Sequence, residues 1–75
     1  MRVRVGTIYR YTGSNFLDSL GGHGHPVPVG TLVKVINLPG CPRANTMGQC
    51  YIAAQDEAGT WKFVRMVCTS SLEAQ

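Results

Sequence analysis

Four stretches of this chain carry apolar residues with the spacing of β-strands, and Gly, Pro, Asn or Asp falls in every gap between them. Residues 2–11, RVRVGTIYRY, set Val3, Val5, Thr7, Tyr9 and Tyr11 on one face. Arg2, Arg4, Gly6, Ile8 and Arg10 fall on the other, which reads as the solvent side. Gly6 interrupts this alternation and predicts a bulge or a sharp bend. Residues 31–37 are apolar on both faces, with Lys34 the only charge, as expected of a central strand. Residues 49–55 oppose Cys50, Ile52 and Ala54 to Gln49, Tyr51 and Ala53. Residues 60–68 oppose Trp61, Phe63 and Arg65 to Lys62, Val64 and Met66. Between these last two strands, Asp56-Glu57-Ala58-Gly59 reads as a tight hairpin turn. The expected core is Val5, Ile8, Val33, Val35, Ile52, Val64, Met66 and Leu72.

The segments between strands are unequal. Residues 12–30 form the longest, and a loop of that length folds on itself or carries function. Residues 14–21 within it predict a short helical turn. Ser14 or Asn15 caps it, Gly21 ends it, and Phe16, Leu17 and Leu20 form a small apolar face. That face is expected to lid the open end of the sheet. Pro39 and Gly40 open a second, more polar loop that runs to Gly48. Residues 69–73 read as a terminal turn that folds Leu72 back on the core. A fifth short strand is expected near the chain end or in the long loop.

Length and composition refine this picture. At 75 residues the chain is one domain, 1–75. A chain of this size buries only roughly 60% of its unfolded surface, so its stability needs help. The hydrophobic fraction of 44% suffices for a core, while charge at 15% is low and leaves apolar patches on the surface. Self-association is therefore expected, with a homo-oligomer as its product. The net charge of +3 permits a polyanion, although the seven basic residues are scattered and form no run. Residues 1–5 alternate from the start without an apolar leader, and no stretch approaches the ~20 apolar residues of a membrane span. Those features predict a cytoplasmic protein with no membrane partner, in which Cys41, Cys50 and Cys68 are free thiols.

The order of segments is a strand, a long excursion, a P-V-G-T-L-V-K-V strand, a Pro-Gly loop, a hairpin and a short turn ending in Leu72. Over nearly the whole chain this resembles the SH3-like small barrels, with the long excursion in the place of their first loop. The resemblance implies an all-β fold: a small SH3-like antiparallel barrel of about five strands whose long first loop holds a short helical turn. The aromatic motifs with which signalling SH3 domains bind proline-rich peptides are not evident, so the resemblance brings the fold and not that ligand. The chain is also similar in size and strand order to the small plasmid-borne dihydrofolate reductases. Their Val-Gln-Ile-Tyr motif is missing, and Phe63-Val64-Arg65-Met66 stands in the comparable strand. Reductase activity is not expected.

Few residues are candidates for chemistry. His23 and His25, two apart, are a weak start for a metal site that Cys41, Cys50 or Asp18 would have to complete. The flexible Gly22 and Gly24 beside them favour solvent-exposed imidazoles instead, and neither a metal nor a cofactor is expected. No carboxylate pair and no phosphate-cradling glycine loop is present, so no catalytic residue is assigned. Trp61, Tyr9, Tyr11 and Tyr51 are the aromatics able to serve a surface, with Arg43 and Arg65 as partners. The expectation is a non-catalytic binding module whose partner is a protein or a second copy. A nucleic-acid-binding barrel is the alternative, and a small enzyme with a site shared between subunits ranks third. The candidate binding residues are His23, His25, Arg43, Asn45, Tyr51, Trp61 and Arg65. The working surface is expected where the long loop meets residues 39–46.

Overall fold

The computed structural model describes residues 3–15, 18, 25–38 and 48–75. Five antiparallel strands form one sheet: β1 (Ile8–Tyr11), β2 (Leu32–Ile36), β3 (Gln49–Gln55), β4 (Trp61–Cys68) and β5 (Leu72–Ala74). Their order across the sheet is β4-β3-β2-β1-β5. A 3-10 turn, Thr69–Ser71, joins β4 to β5. The all-β class, the five strands and the long first connection agree with the expectation. The sheet is not closed, because β4 and β5 are its two edges.

β1 begins six residues later than the alternation predicted. Gly6 has a φ of 86° and sits in a turn whose amide donates to the Val35 carbonyl at 2.7 Å. That backbone conformation suits glycine and breaks the run RVRVG from the strand proper. Val5 is left at the bend, 49% exposed, and does not join the core. At the other end of the chain the terminal turn exists, and Leu72 is buried as expected, but it opens β5 and does not close a helix. Leu72 pairs with Tyr11.

The core lies on one face of the sheet. Val3, Tyr9, Tyr11, Val33, Val35, Cys50, Ile52, Val67 and Leu72 form one cluster, with Val27 and Val64 packed against it. Tyr9 and Tyr11 are therefore core residues and not surface aromatics. Each ring is buried while its hydroxyl finds a polar partner: Tyr9 accepts from the Arg4 amide at 3.0 Å, and Tyr11 donates to Asp18 Oδ2 at 3.0 Å.

β4 departs from strict alternation. Ile52 pairs with Arg65 and Ala53 with Phe63, so Val64 is an extra residue, a β-bulge. Beyond it the phase of the strand inverts. Trp61, Phe63 and Met66 end up on one face, whereas Arg65 and Val67 face the core side. This corrects two expectations at once. Met66 is 38% exposed, and Val67, at 2%, takes the core place it was expected to fill. Ile8, also expected inside, is half-buried on the outer face.

The start of the long loop, residues 12–15, is fastened to the β4–β5 corner. Thr12 N–H and its hydroxyl both donate to the Ser71 carbonyl, at 2.7 and 3.0 Å. Ser14 Oγ donates to the Ser70 carbonyl at 2.9 Å, and the Asn15 amide donates to Ser71 Oγ at 3.2 Å. Asp18 N–H donates to the Asn15 carbonyl at 3.1 Å, an i→i−3 bond where the helical turn was expected. The apolar face of that turn, Phe16, Leu17 and Leu20, lies outside the described residues.

The bulge predicts a contrast between two side chains of similar hydrophobicity. Val35→Ala should cost about 2 kcal/mol through lost burial and a cavity. Met66→Ala should cost about 1 kcal/mol, less than Val35→Ala, because Met66 is 38% exposed on the outer face whereas Val35 is fully buried. Urea unfolding followed by far-ultraviolet circular dichroism measures both. A Met66 loss equal to the Val35 loss would restore the uninterrupted phase of β4.

Candidate binding face

Antiparallel pairing places outward-facing residues of adjacent strands side by side. Ile36 pairs with Tyr51, and Tyr51 with Met66. Lys34 pairs with Ala53, and Ala53 with Phe63. Gln55 pairs with Trp61 at the hairpin end. Ile8 and Arg10 extend the rows from β1, opposite Lys34 and Leu32. The outer face of β2, β3 and β4 is thus Leu32, Lys34, Ile36, Gln49, Tyr51, Ala53, Gln55, Trp61, Phe63 and Met66, a surface of rings, aliphatic groups and two amides with one ammonium and no carboxylate.

This face is uncovered among the described residues. Leu32 is 41% and Phe63 44% exposed, and Tyr51, Trp61 and Ile36 are half-buried. Ala53 is the exception at 1%, because the larger neighbours close over its methyl. Tyr51 and Phe63 meet edge to face, with ring centroids 6.2 Å apart and planes at 64°. Lys34 Nζ stands 5.2 Å from the centroid of the Trp61 ring, a cation–π contact worth ~0.5–1 kcal/mol at an exposed site.

Trp61 and Tyr51 are the two sequence-selected residues that the structure brings together. Arg65 does not join them. The bulge turns it to the other side, where Nη2 donates to the Asp18 carbonyl. His25 is exposed on the first loop, and its backbone N–H donates to the Val64 carbonyl at 2.9 Å, tying the loop to the bulge. His23, Arg43 and Asn45, and with them most of the loop surface expected to bind, lie outside the described residues. Sequence reasoning passed over Phe63, Lys34, Leu32 and Met66 as a group. Trp61 and Phe63 were already two apart, but Met66 joins them only through the bulge.

The opposite side holds a buried carboxylate. Asp18 is 6% exposed; Oδ2 accepts from the Tyr11 hydroxyl, and Oδ1 accepts from the Cys68 amide at 2.8 Å. Burial acts to raise its pKa, but the hydrogen bonds from Ser71, the Cys68 amide and Tyr11 outweigh it and hold the carboxyl below its ordinary range. The same surroundings push the thiols the other way. Burial lifts Cys50 to about 12, with the charge of Asp18 adding to it, and burial raises Cys68 as well. Both thiols are free. Asp18 and Cys50, proposed above as companions for a histidine metal site, are engaged on the core side. Among the described residues no three His, Cys, Asp or Glu side chains gather as a metal site.

No family model, curated protein or solved structure matches the chain at a significant level. The site is therefore read from its chemistry alone. No helix among the described residues is long and apolar enough to cross a membrane.

Two predictions follow from the buried side. Asp18→Ala strands the Tyr11 hydroxyl and the Cys68 amide and should cost about 2–4 kcal/mol. Because the folded carboxyl titrates below its ordinary value of 3.8, its contribution is complete above that pH and is lost as pH falls through the folded value. The stability gap between the wild type and Asp18→Asn should accordingly narrow below about pH 3.8 in chemical denaturation. A gap that stays constant there would mean that the charge of Asp18 contributes nothing.

The thiols give the second. A Cys50 titrating at about 12 is roughly one part in ten thousand thiolate at pH 8. Iodoacetamide on the native protein should add one label rapidly, at Cys41, and two more only in denaturant, as read by intact mass. Rapid labelling of Cys50 would place it outside the core.

Proposed function

We propose that this chain is a non-catalytic binding module, and that its working surface is the outer face of β2, β3 and β4. The observation that carries the proposal is the grouping of Trp61, Phe63, Tyr51, Leu32 and Met66 on one side of the sheet that no other described residue covers. Contiguous exposed apolar surface on a small domain marks an interaction site, and Trp and Tyr are favoured anchors there. The face supplies rings, aliphatic groups and an ammonium. It offers no nucleophile with a base beside it and no pair of carboxylates, which supports binding over catalysis. A cytoplasmic setting, where thiols stay reduced, fits the free Cys50 and Cys68. The first loop, preferred from sequence as the binding surface, has residues 12–15 fastened by hydrogen bonds to the β4–β5 corner, which favours an anchoring role for that end of it.

Two partner classes suit such a face. A second copy of the chain would use its apolar area, and a nucleic acid would use its rings together with Lys34. Phe63→Asp separates binding from folding, because the side chain is largely in water. The wild-type chain should either associate with itself in sedimentation at rising concentration or be retained on immobilised single-stranded DNA. Phe63→Asp should lose that behaviour and keep a cooperative unfolding transition. A wild-type chain that does neither, or a variant that binds undiminished, overturns the assignment of this face.

A further inference from the structure

Building on the assignment of the outer sheet face as the working surface, we infer that its ligand is single-stranded nucleic acid, stacked on Trp61 and Phe63. Area is the first reason. Three strands ~4.8 Å apart and 5, 7 and 8 residues long, at ~3.3 Å per residue, span roughly 320 Å² in projection. A stable protein–protein contact buries about 800 Å² on each partner. The face is too small for a lasting dimer by itself and large enough for two or three unpaired bases.

Charge is the second. The outward residues of β2, β3 and β4 include Lys34 and no acid, and Arg10 continues the row beside Leu32. Asp56 pairs with Lys62 at the hairpin, 3.2 Å apart, and Glu73 is the cross-strand neighbour of Arg10 on the edge strand β5, two strands away from Lys34 on β2. The whole chain carries +3. Two copies placed face to face would set Lys34 against the like-charged surface of the partner, whereas a polyanion is attracted to it.

Geometry is the third. Every base has a π-face, so rings on a sheet accept unpaired bases irrespective of sequence, while a duplex hides those faces. In the free protein the Lys34 ammonium occupies the space over the Trp61 ring. An incoming base takes that place, and the ammonium, on its flexible stem, moves to the adjoining phosphate. Phe63 offers the second ring, 44% exposed. Tyr51 supports Phe63 edge-on. Arg10 lies in the row that leads away from them, in reach of a further phosphate.

Trp61 is the only tryptophan, so its fluorescence reports on this face alone. A short oligothymidylate titrated at low salt should quench it to saturation. With Lys34 and Arg10 as the phosphate contacts, log K should fall with log salt at a slope of about −1.4. Phe63→Ala should weaken binding about tenfold. Lys34→Gln should reduce the slope by about 0.7 and leave the fold intact. Absence of quenching at low salt overturns the inference, as does quenching that Phe63→Ala leaves unchanged. If quenching is absent but the chain self-associates in sedimentation and Phe63→Asp abolishes that, the nucleic-acid inference fails while the face remains the working surface, with a second copy as its partner. If oligothymidylate binds and neither Phe63 nor Lys34 matters, the inference and the assignment of the face fall together.

Discussion

A single inserted residue, Val64 in β4, decides what each side of this sheet is made of. Before it, Trp61 and Phe63 face outward. After it the alternation is inverted, so that Met66 joins them and Arg65 and Val67 turn toward the core side. Without the bulge, an aromatic-rich strand of this composition would put Arg65 among the exposed rings and Met66 under the sheet. With it, β4 presents Trp61, Phe63 and Met66 on the outer face and the cation is carried round to Asp18. Val64 itself packs against the core, and its carbonyl takes the His25 N–H. The bulge is therefore also where the returning first loop meets the sheet. Bulges on edge strands interrupt the flat template that would pair with another chain, which matters for an edge as apolar as this one.

Arg65 and Asp18 close the other side by polar means. A buried carboxylate is costly unless its lone pairs are filled. Here Tyr11 from β1, the Cys68 amide from β4 and Ser71 from the 3-10 turn supply the donors. Those three groups come from three separate parts of the fold, so Asp18 stitches the first loop to both ends of the sheet with one side chain. The hydrogen bonds of Thr12, Ser14 and Asn15 to residues 70 and 71 continue the seam. A domain this small has little apolar area with which to fix a long loop. Hydrogen bonds to backbone carbonyls that would otherwise face solvent or go unpaired do the same work at little cost in hydrophobic residues.

The parts of the fold legible in the sequence are those set by local periodicity. β2 and β3 fall where alternation and apolar runs placed them, and Val33, Val35 and Ile52 are buried as read. The hairpin at Asp56 was legible because its side chain is suited to the turn, and Oδ1 accepts from both the Ala58 and Thr60 amides. What could not be read is non-local. A bulge has no signature in Val64-Arg65-Met66, since any of the three could be the extra residue, and one residue of slip exchanges the faces. The burial of Tyr9 and Tyr11 follows from what lies beneath β1, while their sequence positions look equally suited to a surface. Asp18 reads as a polar loop residue until Tyr11, Cys68 and Ser71, up to fifty-three positions away, are brought to it. Of the candidate face, Trp61 and Tyr51 are picked out by residue type, whereas the bulge turns Arg65 to the other side of the sheet.

Coverage explains why the remaining surface is a face and not a pocket. A sheet has two sides, and a chain of 75 residues has material to pack fully against only one. Here residues 12–15 of the long loop are tied to the β4–β5 corner, and Asp18 to the core side. Among the described residues the outer side is left to its own side chains, and they cover one another where they can. Ala53 is sealed at 1% exposure although it points outward, and the Tyr51 and Phe63 rings lean edge to face. Small floor and large rim together give a shallow platform among the described residues, held by a rigid central strand. Such a surface gains its energy from flat contact and charge at its margin. The geometry therefore favours ligands that are themselves flat and extended.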